Sequence, residues 1–165
     1  MATETTETGP DRHSFRTMMS RFPTGVTVVT CIDDAKVPRG MTCSAVCSVA
    51  LDPPTLLIGV RAASPTIAAV LAGKRFAVNM LHGDGRSAAE LFASGAPDRF
   101  DQVPWEMGAG GPHLTLHGHT VADCTVTAAH RVGDHLVVFG EISDITEYDD
   151  RPPLLYGLRS YRSWQ

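Results

Sequence analysis

Apolar positions along the chain recur with two different periods, and each change of period marks a new element. Between His13 and Phe22, the residues Phe15, Met18, Met19 and Phe22 fall three or four apart. That is one face of a helix, with Ser14 as its cap and Pro23 and Gly25 ending it. Val26 to Cys31 is rich in β-branched residues and reads as a strand, and the polar run Asp33-Asp34-Ala35-Lys36 predicts a hairpin turn. The partner strand is expected over about Gly40 to Val49. Asp52-Pro53-Pro54 breaks it, because proline supplies no backbone donor and holds the preceding residue extended. Thr55 to Val60 then resumes as a short apolar strand.

Ser64-Pro65-Thr66 has the form of a helix start, leading into Ile67 to Leu71 and ending at Gly73. Phe76 to Leu81 reads as a strand, and Gly85 to Ser94 as a helix with Leu91 and Phe92 inward. Ala96 to Pro112, rich in proline and glycine, is expected to be a long surface loop. Strands follow over His113 to His119, Val121 to Arg131 and His135 to Ile145, with a turn at Gly133-Asp134. Many short strands and a few short helices predict a mainly β fold, a barrel or sandwich instead of a βαβ sheet. Residues 1–12 read as a disordered tail and 13–165 as one domain without internal repeats.

Composition narrows the functional classes. At 165 residues and 43% hydrophobic, the chain can bury one core. Its net charge of -4 and the absence of any Lys/Arg block argue against nucleic acid. No basic leader and no span of membrane length occur, so a cytoplasmic location without membrane partners is expected. Cys31, Cys43, Cys47 and Cys124 form no CxxC pair and read as small buried hydrophobes. His117 and His119 would share one face of a strand, as metal ligands must, but no third ligand lies near in sequence and no metal is expected.

Gly108-Ala109-Gly110-Gly111-Pro112 follows no strand and opens no helix, so it is not a dinucleotide fingerprint, and there is no P-loop. Chemistry concentrates in Gly40 to Pro54, where small and hydroxyl-bearing residues let a flat ligand approach the backbone. A tightly packed strand would carry the same composition. Ser64 and Thr66 at a helix N-terminus offer an anion site, although a plain helix cap shows the same pattern.

Four ordered motifs resemble the short-chain flavin reductase family, also called the flavin reductase-like, FMN-binding split-barrel domain. They are Phe22-Pro23-Thr24-Gly25-Val26-Thr27-Val28-Val29-Thr30, the Gly40 to Pro54 segment, Phe76-Ala77-Val78-Asn79 with Leu81, and Gly133-Asp134-His135 followed by Gly140. The resemblance runs from about Phe15 to Tyr161. It implies an FMN-binding split β-barrel homodimer that reduces FMN or FAD by hydride transfer from NADH and supplies reduced flavin to a partner flavin-dependent monooxygenase. Carried over by motif, Thr24, Gly25, Thr42, Ser44, Ala45, Ser48 and Asp52 lie at the flavin. Ser64 and Thr66 lie near its phosphate, and His135 lies at the nicotinamide. Ala50 stands where the family commonly has serine, removing one hydroxyl. The scarcity of clustered arginine near these motifs favours NADH over NADPH. A redox-inactive flavin- or haem-binding split barrel, or an oxidase of the pyridoxamine-phosphate-oxidase type, are the alternatives, the latter short of basic residues for a phosphorylated substrate.

Overall fold

The computed structural model describes residues 9–164. Its elements in chain order are α1 (Arg12–Ser20), β1 (Thr24–Gly25), β2 (Thr27–Ile32), β3 (Pro38–Cys43), β4 (Val46–Leu51), β5 (Pro54–Arg61), α2 (Pro65–Gly73), β6 (Arg75–Leu81) and α3 (Arg86–Ser94). There follow β7 (Glu106–Met107), β8 (Pro112–His113), β9 (Gly118–Val132), β10 (His135–Glu147), β11 (Leu154–Gly157) and β12 (Ser160–Ser163). Strands make up 49% of the described residues, so the mainly β expectation holds. No described helix is long and apolar enough to cross a membrane.

Seven strands form one sheet in the order β3-β2-β6-β9-β10-β5-β4. Its two edges, β3 and β4, are joined by only Ser44 and Ala45. So short a link spans roughly 10 Å at most, and the edges must come together. The sheet therefore rolls into a barrel whose seam is split, because β3 pairs with β2 and β4 with β5. The single strand expected over Gly40 to Val49 is thus two strands on opposite edges. The ladder on β2 ends at Thr27 opposite Cys43, and the Gly59 N–H, on β5, already donates to the Ala45 carbonyl.

Alternation along the central strands fills two cores. On β2, Val29 and Cys31 join Phe76, Val78, Ile58 and Val138 on one side, where α2 adds Ile67 and Val70. Val28 points the other way, with Val26, Leu81, Leu154 and, from α3, Ala89 and Phe92. Burial on both faces explains why β2 reads as a continuous apolar run. Asn79, wholly buried on β6, ties a distant segment to this sheet. Its Nδ2 donates to the Val28 carbonyl (3.1 Å), Thr30 Oγ1 (3.1 Å) and the Pro112 carbonyl (3.2 Å), while its Oδ1 accepts the Leu114 N–H (2.7 Å).

That segment is not the surface loop expected over Ala96 to Pro112. Phe100 and Val103 are buried in the second core, and β7 pairs with β8. A Cβ at Gly110 would collide with the Phe76 carbonyl, and one at Gly111 with the backbone of Cys31, so these glycines permit close packing. The Gly110 N–H donates to Asp123 Oδ1 (2.7 Å), which also lies 3.0 Å from His113 Nε2. His113 Nδ1 lies 3.0 Å from the Tyr148 hydroxyl, which in turn donates to Glu106. His113 and Asp123 are 3% and 2% exposed, so this network is internal to the fold.

Other expectations need correction. The cap of α1 is Asp11, whose carboxylate accepts the Ser14 N–H, so Ser14 lies within the helix. Residues 1–8 of the expected tail lie outside the described residues. The strand expected over His113 to His119 is interrupted by a turn over residues 114–117 between β8 and β9, leaving His117 off any strand, and among the described residues no group of potential metal ligands gathers. Burial pushes the Cys31 and Cys124 thiols up to about 12, as inert core residues, and Cys43 is buried too, but Cys47 is exposed on β4. The hairpin of β11 and β12, which adds β1 to make a small second sheet, was not foreseen.

Candidate functional site

Two adjoining cavities open where the barrel seam meets α1 and the small sheet. The larger, about 820 Å3, has apolar walls of Phe15, Met19, Phe22 and Tyr156, with Thr24, Ser44 and Ala45 at its base. The smaller, about 450 Å3, shares Phe22, Thr24 and Ser44 and adds Gly25, Thr27, Met80, His119 and Pro153. Each wall follows from local structure. Phe15 and Met19 are one turn apart on α1, and Tyr156 lies opposite Thr24 in the β1–β11 ladder. Ser44 and Ala45 are the seam itself. Among the described residues the Thr24 and Ser44 hydroxyls have no protein partner, so both are free to bond a ligand.

The electrostatics differ between the two. Arg12, His13 and Arg16 from α1, together with Arg159 from the turn between β11 and β12, line the larger cavity, and no carboxylate does among the described residues. In the smaller cavity, burial and the neighbouring His82 hold the His119 imidazole below its ordinary pKa, against an opposing pull from Asp149. It is therefore neutral near pH 7, with Nδ1 2.9 Å from Thr120 Oγ1.

The remaining residues expected at the site are dispersed. Thr42 uses its hydroxyl to bond the Ala89 carbonyl (2.5 Å), tying β3 to α3. Ser48 and Asp52 are exposed on β4 and the turn after it. Ser64 caps α2 without a side-chain bond to the helix, its Oγ being 3.3 Å from Met41 Sδ, and Thr66 is only 2% exposed. His135 is exposed at the start of β10, opposite Arg61 on β5 and 2.8 Å from Asp134 through Nδ1. None of these lines either cavity, whereas Thr24, Gly25, Ser44 and Ala45 are brought together there.

Residues 19–165 match the flavin reductase like domain. The chain belongs to that family. Among its relatives, a flavin reductase (NADPH) of Lentzea aerocolonigenes is 48% identical over 90% of this chain and 88% of its own length. The reductase subunit HsaB of a flavin-dependent monooxygenase from Rhodococcus jostii is 37% identical over 88% of this chain and 74% of its own. In structure, the NADH:FAD oxidoreductase SgcE6 of Streptomyces globisporus C-1027, in complex with NAD and FAD fragments, superposes with a TM-score of 0.87 at 33% identity. That match covers 94% of this chain and 93% of the other. The flavin reductase fold is thus shared almost end to end, and the split barrel implied by the motifs is present.

Residues that the sequence reading missed belong to this reductase's first helix and last hairpin. Arg12, Phe15, Arg16 and Met19 form one helix face, whereas the apolar pattern marks only Phe15, Met18, Met19 and Phe22. Tyr156 lies in a strand not foreseen, and Arg159 in the turn that follows it. The premise that arginines do not cluster near the site also fails, because Arg12 and Arg16 meet Arg159 only in the folded chain.

Proposed function

We propose that this chain is an NAD(P)H-dependent flavin reductase that supplies reduced flavin to a flavin-dependent monooxygenase. The observation that carries the reading is the aromatic-walled cavity at the barrel seam, with two unengaged hydroxyls at its base, in a chain of this family. Such walls suit a flat heteroaromatic ring, and the hydroxyls suit its polar edge. When bound, flavin supplies an acceptor for hydride from reduced nicotinamide.

The protein's own contribution is positioning. Phe15, Met19, Phe22 and Tyr156 exclude water and hold stacked rings, while Thr24 and Ser44 orient polar ring edges. As an edge strand, β4 leaves alternate backbone groups without a strand partner, and the N–H groups among them stabilise charge that develops on a bound ring. No side-chain acid or base is required.

The proposal assigns Thr24, Gly25, Ser44 and Ala45 to the flavin ring and Ser48 and Asp52 to its rim. Ser64 and the first backbone N–H groups of α2 take the flavin phosphate, with buried Thr66 acting through its backbone and Thr42 holding β3 in place. His135 contacts the nicotinamide. The protein acts as a homodimer, supported by the exposed apolar residues Val49 and Leu51 (91% exposed) on edge strand β4. The flavin is FMN or FAD, and the location is cytoplasmic. NADH over NADPH rested on scarce arginines near the site, a premise the cavity removes. The test is steady-state NADPH and NADH oxidation with FMN, FAD and riboflavin. Turnover dependent on added flavin supports the reading, and none with any combination overturns it.

A further inference from the structure

Building on the reductase reading, we propose that Arg12, Arg16 and Arg159 recognise the adenosine 2′-phosphate of the nicotinamide nucleotide, making NADPH the preferred hydride donor. Three guanidinium groups from two distant elements line one cavity that no carboxylate lines among the described residues. Acidic residues outnumber basic ones in this chain, 18 to 14, so a cation cluster without counter-charge is not what composition alone would give. Elsewhere Arg39 pairs with Asp33, Arg86 with Glu90, and Arg151 with Asp149 and Asp84. Arg12, Arg16 and Arg159 have no such partner among the described residues, and unlike Arg21, Arg61, Arg99, Arg131 and Arg162, which are also without one, they converge on one cavity.

A second observation concerns how Arg159 reaches the cavity. Only Leu158 and Arg159 connect β11 to β12, and both are left-handed, with φ of 49° and 60°. Two-residue hairpins of this hand ordinarily use asparagine and glycine. Bulky residues there carry backbone strain, which persists where the surroundings enforce it. The enforcing contact is the Leu158 N–H bonded to the Ser20 carbonyl at the end of α1 (2.6 Å). It fixes the turn to the helix that bears Arg12 and Arg16, so the three charges are held as one set.

The ligand chemistry follows from charge and size. A phosphomonoester carries a charge of roughly -1.5 to -2 and three acceptor oxygens, matching guanidinium forks better than a neutral ribose hydroxyl does. A cavity of about 820 Å3 exceeds what a single phosphate fills, and the three arginines lie on the same cavity lining as the aromatic walls.

Calorimetric titration of the purified protein with 2′,5′-ADP and with 5′-AMP tests this without turnover. Binding of 2′,5′-ADP about tenfold tighter, with the gap narrowing as salt is raised, is expected. In parallel, Arg16→Gln and Arg159→Gln should each lower the ratio of kcat/KM for NADPH to that for NADH about tenfold, with Arg16→Lys and Arg159→Lys recovering most of it. Equal binding of the two adenosine phosphates overturns the proposal, even if a variant fails to fold. So does an unchanged ratio, or a variant that weakens FMN relative to riboflavin and leaves nucleotide choice alone. If neither nucleotide reduces flavin, the reductase reading fails, and the adenosine phosphate titration still decides the 2′-phosphate site.

Discussion

Asn79→Asp replaces an amide by a group of the same shape at the most heavily bonded side chain in the barrel, and its effect can be worked out atom by atom. The native Oδ1 accepts the Leu114 N–H, a role a carboxylate oxygen keeps. The native Nδ2 donates to the Val28 carbonyl, Thr30 Oγ1 and the Pro112 carbonyl. An ionised carboxylate there would turn a second acceptor towards three oxygens, in a position with no solvent exposure. Burial and these acceptors both favour the protonated acid, which can still donate once, so the variant's folded-state pKa lies well above the ordinary carboxylate range. The folded state then holds a proton that the unfolded state releases near pH 4, and stability falls as pH rises between those two values. At pH 4 the loss is about 1 kcal/mol, for the missing donors. By pH 7 it grows to about 3–5 kcal/mol, since each pKa unit is worth about 1.4 kcal/mol. Urea unfolding followed by tryptophan fluorescence from pH 4 to 8, beside the parent protein, reads this difference. A loss that stays constant across the range, or shrinks towards neutrality, would refute the reasoning.

Other expected outcomes are as follows. Ser64→Ala should weaken FMN binding by about 1–2 kcal/mol and leave riboflavin nearly unaffected; equal losses place the phosphate elsewhere. His135→Ala should raise KM for the nicotinamide nucleotide with flavin affinity intact, and a variant with the reverse pattern removes His135 from the nicotinamide site. Gly140→Ala drives a methyl group into the Phe76 ring and Cys124 Cβ, and should cost about 1–3 kcal/mol by urea midpoint; no loss would mean that the barrel relaxes there at no cost. Burial and His82 hold both His117 and His119 below their ordinary pKa, so the unfolded chain binds protons first on acidification. Stability should be full above about pH 6.5 and decline below it, and His119→Gln should flatten that limb of the thermal unfolding profile.

The barrel strands were legible because period-2 patterning and proline breaks act locally. The split between β3 and β4 was not, since nothing at Ser44 and Ala45 breaks a strand; which neighbour each half pairs with is a long-range decision. Phe100 and Val103 were hidden for the opposite reason, as turn residues around them read as surface while their side chains fill the second core. At the site, four of the residues singled out by motif order, Thr24, Gly25, Ser44 and Ala45, come together at one seam. The charges of the same cavity were invisible, because Arg12 and Arg159 lie at opposite ends of the chain and meet only through the bond from Leu158 to Ser20. Their helix and turn carry no chemistry taken alone.

The central claim is hydride transfer to flavin, and anaerobic mixing of the protein and FMN or FAD with reduced nicotinamide tests it most directly. The account predicts bleaching of the oxidised flavin band far faster than in a protein-free control, slowed when the transferred hydrogen is deuterium. Bleaching no faster than the control, with NADPH and NADH alike, would contradict it.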